Sequence, residues 1–459
     1  MCWPTAASRP PVTLNWPTSW SARATTGSTD DGIERSRHRD VGVPRKTETC
    51  TCKRRSCKAI EDRTLRSLSS KKSTDGLFAI PLRMTTLPLH PPIPLPDGRD
   101  EAWRYTSLTP LADRLGARWW QPLEAAPADP APPPGLDAID LMRDPLPEAI
   151  ARTDEEAGPA DDHAPFAARL AACFAPTVQT IQIAAQYRSA LPLLLIHPDS
   201  EGAGYRRHAL RVGCGAEVTL IELFAGDRPQ MGLTCSHLSI NLEPGARLTH
   251  YRLQRFGPDQ FHLGALTLSQ QRESDYRLHA IELGGALARL DLSIALQQPG
   301  AACALHGLFL LDGQQHADHQ VAMHHAAPHC RSRADYRTVL AGRAHAVFNG
   351  RVVVDRGACG TDSAQRNANL LLSRQAEVDT KPELEIYNDD VRCAHGATVG
   401  QLDAEQLFYL RSRGLTEAEA RHALVVAFAD ALLAGIALAP LRQAIESAAA
   451  DKIAQEPCK

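Results

Sequence analysis

Seven potential metal ligands fall between positions 306 and 330: His306, His316, His319, His324, His325, His329 and Cys330. None has the flanking glutamate of a HExxH helix, and the spacing matches no zinc-finger pattern. In extended chain, residues two apart share a face, so a strand-forming stretch scatters these side chains over several surfaces. Hydrogen-bonded histidines are the expected outcome, with a metal store built from this stretch as the rival. A second constellation is Cys393-Ala394-His395. On a strand the thiol and the imidazole point the same way, and together they suit iron or zinc. Two donors do not complete a site, so the remaining ligands must come from elsewhere in the chain or from another subunit. The acids Asp379, Glu383, Glu385, Asp389 and Asp390 lie nearby. Charges along a strand edge blunt unwanted pairing, and that is their expected role. No GxxxxGK[ST] loop and no GxSxG elbow occurs, so the sequence offers neither a nucleotide cradle nor a nucleophile elbow.

The elements that would carry these residues change character along the chain. From about 177 to 399 apolar residues alternate with polar ones, most clearly in Arg289–Leu296. Further strands are expected at Ala216–Leu223, Ala246–Gln254, Phe261–Gln270 and Leu384–Tyr387, with turns at Glu243-Pro244-Gly245, Gly284-Gly285, Gln298-Pro299-Gly300, Asp312-Gly313 and Asn349-Gly350. A Gly-Ala pair opens a strand at Gly215, Gly245, Gly285 and Gly300. The repeat points to short strands stacked in coils, although a β-sandwich would share many of these features. Beyond 399 the pattern turns helical. Asp403 with Gln406 and Thr416 with Glu419 read as helix starts, and Gly414 as a stop. The expected buried stripe of the second helix is Ala420, Ala423, Leu424, Ala427, Phe428, Ala431 and Leu432.

The net charge of −3 conceals an asymmetry: residues 1–83 hold sixteen basic and eight acidic residues, so their surplus of eight leaves −11 on the rest. An acidic body disfavours nucleic acid, which needs a basic footprint. Residues 1–83 lack apolar periodicity and are expected to be disordered or a mis-assigned extension ahead of Met84. Their Cys50, Cys52 and Cys57 have no second pair at zinc-finger spacing. Twelve scattered cysteines in a long chain indicate reduced thiols and a cytoplasmic setting. The most apolar stretch, Ala423–Leu441, contains Asp430 and reads as a buried soluble helix, with no membrane association. A short helical region at 97–120 with Trp103, Tyr105, Leu108, Leu111 and Leu115, a Pro-rich linker at 130–134 and a helix at Phe166–Phe174 complete an N-terminal helical part, 84–176.

The stretch from Ala376 through Tyr387 and on from Asp390 to Gly400, which includes Lys381-Pro382-Glu383-Leu384-Glu385 and Arg392-Cys393-Ala394-His395-Gly396, resembles the signature of the SufB/SufD family. Glu101–Thr106, Gly284–Leu292 and Leu407–Gly414 match as well, so the likeness runs from Asp97 to Ala439. It implies a mainly β fold: a right-handed parallel β-helix core at 177–399, flanked by N-terminal and C-terminal helical regions, the latter at 400–445. It also implies a non-catalytic scaffold on which a transient Fe–S cluster is built, shared with a SufB-like partner that pairs with the β-helix. A SufC-like ABC-type ATPase would dock on the C-terminal helices and bind the nucleotide, and a homodimer would form without SufB. By resemblance His395, and Cys393 beside it, are the metal ligands. The absence of a cysteine in Arg366–Leu370, and Gly396 after the histidine, are similar to the SufD branch and not to SufB. Two other classes compete: a β-helix enzyme acting on carbohydrate, which needs paired carboxylates, and the metal store at 306–330.

Overall fold

Alternating apolar residues in Thr177–Gly400 form two stacked parallel sheets in a computed structural model that describes residues 93–115, 130–226 and 231–454. The first sheet orders β1 (Ile139–Asp140), β4 (Leu193–Pro198), β6 (Glu217–Gly226), β8 (Arg247–Phe256), β10 (Asp275–Glu282), β12 (Ala302–Leu311), β14 (Arg331–Leu340), β16 (Thr361–Leu371) and β18 (Val391–Gly400). The second runs β2 (Ile150–Glu156), β3 (Thr177–Ile183), β5 (Gly202–Val212), β7 (Gly232–Leu242), β9 (Gln260–Gln270), β11 (Leu287–Leu296), β13 (His316–His325), β15 (His345–Val354) and β17 (Glu377–Ile386). From β3 onward successive strands alternate between the sheets and pair in parallel, with β2 added antiparallel to β3, so the chain winds as a parallel β-solenoid. From β3 onward, register partners lie from 26 residues apart (Phe261 and Leu287) to 32 apart (His345 and Glu377). The expected β-helix is therefore present, and the open choice between solenoid and sandwich resolves to the solenoid.

One corner explains the irregular Gly-Ala repeat. Seven residues take positive φ at the corner leading into a first-sheet strand or its equivalent, one or two positions ahead of it: Gln186, Gly215, Gly245, Glu273, Gly300, His329 and Gly360. Each amide donates to a carbonyl one coil further on, as in Gly215 N to Pro244 O at 2.9 Å, Glu273 N to Pro299 O at 3.1 Å and His329 N to Cys359 O at 2.8 Å. The next residue turns into the core and is usually small (Ala216, Ala246, Ser274, Ala301, Cys330 and Thr361, all buried). Glycine enters the left-handed region without a Cβ penalty, but glutamine, glutamate and histidine hold it here too. The pair at Gly285 belongs to the other corner, ahead of β11. Spacings of 30, 40 and 15 thus mix two corners and skip the coils without glycine.

Asn349-Gly350 is not a turn. Both residues lie inside β15, where a Cβ on Gly350 would stand 2.1 Å from Gln365 Oε1. Glycine leaves room there for the Gln365 side chain to approach across the lumen, a role that mimics a turn signal in sequence.

Leu, Ile, Val and Phe from alternate positions of both sheets fill the space between them, including Leu220, Leu266, Leu292, Leu305 and Phe348. Among the described residues of the N-terminal part, Glu101–Trp103 is a 3-10 turn, α1 covers Thr109–Leu115, and β1 and β2 join the two sheets. Helix α2 occupies Phe166–Phe174, where the apolar spacing placed it, and packs Phe166, Leu170 and Ala171 with Trp103 against the outside of the second sheet.

At the other end α3 (Ala404–Ser412) starts on Asp403, whose side chain accepts from the amides of Glu405 and Gln406. Helix α4 (Glu417–Leu433) opens with the Thr416–Glu419 capping box. Its buried face is Ala420, Val425, Ala429, Leu432 and Leu433, rotated from the expected stripe, and Ala427 and Ala431 are exposed. The helix is apolar nearly all round, so the larger side chains with more area to bury decide which face meets the sheet. Helix α5 (Ala439–Ala454) extends past the expected end at 445 and packs Leu441, Ile445 and Ala449 on the first sheet with α4. The apolar stretch 423–441 is split between these two helices, and no helix among the described residues is long and apolar enough to cross a membrane. Residues 1–83, with Cys50, Cys52 and Cys57, lie outside the described residues.

Candidate functional site

Strands β17 and β18 are the last rungs of their sheets. The lumen row of β18 begins with Val391 and Cys393, both packed against the interior cluster, and the two-residue alternation places His395 on the same side. Cys393 is half-buried and His395 exposed, so the pair lies where the lumen opens. Burial raises the Cys393 thiol, and a backbone hydrogen bond at Ser363 partly offsets it. The parallel register sets Cys393 against Ser363 and His395 against Gln365 on β16.

The layer beneath is polar, which the sequence reading missed. Ser363, Gln365, Asn367 and Asn369 are all buried. Ser363 accepts from Ser332 at 2.8 Å, and Ser332 in turn stands 2.8 Å from His325 Nε2, a hydroxyl chain leading down from the Cys393 position. Among the described residues neither amide atom of Gln365 has a hydrogen-bond partner, which leaves a buried polar group unsatisfied beside His395. Around the mouth, Ile386, Tyr387 and Val399 are exposed at 40%, 57% and 54%. Exposed apolar groups on a terminal rung are the kind of surface that a binding partner can cover.

The histidine-rich stretch does not converge. His319 and His325 face the lumen, His316 and His324 share the outer face of β13, His306 is on the outer face of β12, and His329 sits in the corner. Its members are individually engaged: His324 Nε2 lies 2.9 Å from Asp355 and His319 Nε2 3.0 Å from Glu282.

A charged cluster deeper in the lumen was also missed. Glu222 lies 2.8 Å from His197 Nε2 and 3.1 Å from His250 Nε2. Arg252 pairs with Glu282 at 2.6 Å and stacks over Phe224, its Cζ 4.3 Å from the ring centroid. Burial opposes ionisation of Glu222, but hydrogen bonds from His197 and His250 hold its carboxyl well below the usual range. The available signal was Leu248, His250, Arg252 and Gln254 alternating on one face of β8, a polar row that reads as an outer face.

Burial holds several imidazoles neutral. His208 is pushed down to about 3, with His197 adding to the effect, and His237, His279, His316 and His325 to about 4. Their folded-state values lie below the unfolded value of about 6.5, so below that pH the unfolded chain binds more protons than the folded one. Their contribution is complete above pH about 6.5 and is lost as pH falls toward 4, at about 1.4 kcal/mol per pH unit for each such group. Urea unfolding midpoints should fall steeply between pH 7 and 5, and a flat profile would show that these histidines titrate freely when folded.

The geometry defines a class of protein: a parallel β-solenoid whose last rungs, uncapped among the described residues, carry a thiol and an imidazole side by side over a polar layer. Within that class the chain belongs to the family described as SUF system FeS cluster assembly, SufBD core domain, which residues 195–428 match. It is 35% identical over 277 residues to the Escherichia coli K12 iron-sulfur cluster assembly protein SufD, covering 59% of this chain and 66% of that protein. A SufBD family protein of Synechocystis is 38% identical over 237 residues, 50% of this chain and 52% of the relative. A Mycobacterium bovis member is 29% identical over 365 residues, 77% and 88% respectively. The chain thus spans between half and two thirds of the first two relatives' lengths.

Proposed function

We propose that the protein is a non-catalytic scaffold subunit for Fe–S cluster assembly, working with a SufB-like protein and a SufC-like ATPase. The carrying observation is the open end of the solenoid, where Cys393 and His395 offer two of the ligands a tetrahedral iron needs. A SufB-like chain docked on the terminal rungs would cover Ile386, Tyr387 and Val399 and supply the remaining thiolate. The cluster is cargo, formed and passed on. No P-loop is present in the sequence, so ATP hydrolysis belongs to the partner.

The C-terminal helices divide into two roles. Helices α4 and α5 bury their apolar faces on the first sheet, whereas α3 buries no residue and exposes Phe408 at 74% and Tyr409 at 55%. An aromatic pair held away from the body is the anchor type that binding interfaces favour, and α3 is where the ATPase would dock. Removing the whole C-terminal region would uncover the sheet and confuse misfolding with lost binding. The double variant Phe408→Ser, Tyr409→Ser avoids this. It should lose the ABC-type ATPase on co-purification while keeping the parent's thermal unfolding temperature and the SufB-like partner. Full ATPase recovery would remove α3 from the docking surface.

A further inference from the structure

A second cluster of donors lies on the outer face of the other sheet, away from Cys393 and His395. His345 on β15 is the register partner of Glu377 on β17, and Asp379 is two residues further along the same face. Parallel pairing and the strand alternation thus bring three side chains to one spot. His345 Nε2 stands 2.8 Å from Asp379 Oδ2, and one donor atom from each of the three residues lies within 4.8 Å of the others. His345 and Asp379 are half-buried and Glu377 is exposed.

The charge pattern along β17 singles this group out. Its outward row is Glu377, Asp379, Lys381, Glu383 and Glu385. Glu383 is paired with Lys381 at 2.6 Å and Glu385 with Arg351 at 2.7 Å. Among the described residues no lysine or arginine forms an ion pair with Glu377 or Asp379, so two carboxylates share one imidazole. The floor is rigid as well. The His316 ring packs edge-on against His345, with centroids 4.4 Å apart. His316 Nε2 is 3.0 Å from Thr106 Oγ1, which donates to Asp318, itself held by Arg289.

We propose that His345, Glu377 and Asp379 form a binding site for a divalent first-row metal ion. One imidazole nitrogen and two carboxylates suit Mn2+, Fe2+ or Zn2+, and the absence of a thiol disfavours soft ions. A metal about 2.0–2.2 Å from each donor places donors no more than about 4.4 Å apart, so a small rotamer change of the exposed Glu377 completes the grip. Metal binding displaces any proton on His345 Nε2 and neutralises the paired carboxylates. Because β17 is the edge strand, the remaining coordination positions face outward, open to water or a docked chain.

Mn2+ titration of the full chain, followed by the electron paramagnetic resonance signal of free Mn2+, tests the site; as a hard ion it avoids the cysteines. One saturable site is expected in the parent chain and in the His395→Ala variant. His345→Ala and the isosteric Asp379→Asn should each weaken binding at least about tenfold, with unfolding temperatures showing that the fold is kept. Zn2+ should compete for the bound Mn2+. Absence of saturable binding, or parent-like binding by a folded Asp379→Asn protein, would overturn the assignment.

Discussion

Replacing Arg252 with alanine is expected to destabilise the protein by about 3–5 kcal/mol, enough to cost much of the stability of an ordinary domain. Arg252 is 1% exposed and anchors the lumen cluster: it pairs with Glu282, lies 3.9 Å from Glu222 and covers the face of Phe224. Removing it leaves two carboxylates in the interior with only histidines beside them, and a void over the ring. An uncompensated buried charge costs far more than the pair contributes, because desolvation has already been incurred. Arg252→Met together with Glu282→Leu removes both charges at similar volume and should recover most of the loss. Urea unfolding of the three proteins decides between the two effects. A single-variant loss below about 1 kcal/mol would mean that the interior solvates these carboxylates by other means.

His395→Ala has the opposite profile, with little effect on stability and a large effect on function. Its side chain is exposed, and a surface truncation of that kind usually changes stability by less than about 0.5 kcal/mol. Yet it is the outermost donor of the lumen row and the one a docked chain would meet first. In the proposed scaffold its loss leaves Cys393 as this chain's one remaining donor at the open end, so cluster formation should fall at least about tenfold. Cys393→Ser keeps a weak donor in the half-buried position and should cost less. Gln365→Leu, which removes the free amide beneath His395, should give an intermediate loss without disturbing the complex.

Much of this architecture was legible in the sequence because strand alternation and capping are local. The helix at Phe166–Phe174, the Thr416–Glu419 box and the strand through Arg289–Leu296 all follow from neighbouring residues. Features that depend on stacking were hidden. Glu273 and His329 occupy the same left-handed corner as Gly245 and Gly300, and only the coil-to-coil hydrogen bonds reveal it. Gly350 imitates a turn because close approach and turning both favour glycine. The lumen cluster was invisible because polar residues at period two look the same on an inner face as on an outer one. Cys393 and His395 stand out through spacing and family likeness as candidates, whereas His345, Glu377 and Asp379 are brought together across 34 residues by the register alone.

The measurement that bears most directly on the scaffold reading is Fe–S cluster formation by the complex of this chain, its SufB-like partner and the ATPase, with parent and His395→Ala chains compared. The account predicts that both complexes assemble and hydrolyse ATP alike, and that only the parent forms and transfers a cluster at a normal rate. Normal activation of Fe–S enzymes by the His395→Ala complex would contradict it and move the ligand site away from the open end of the solenoid.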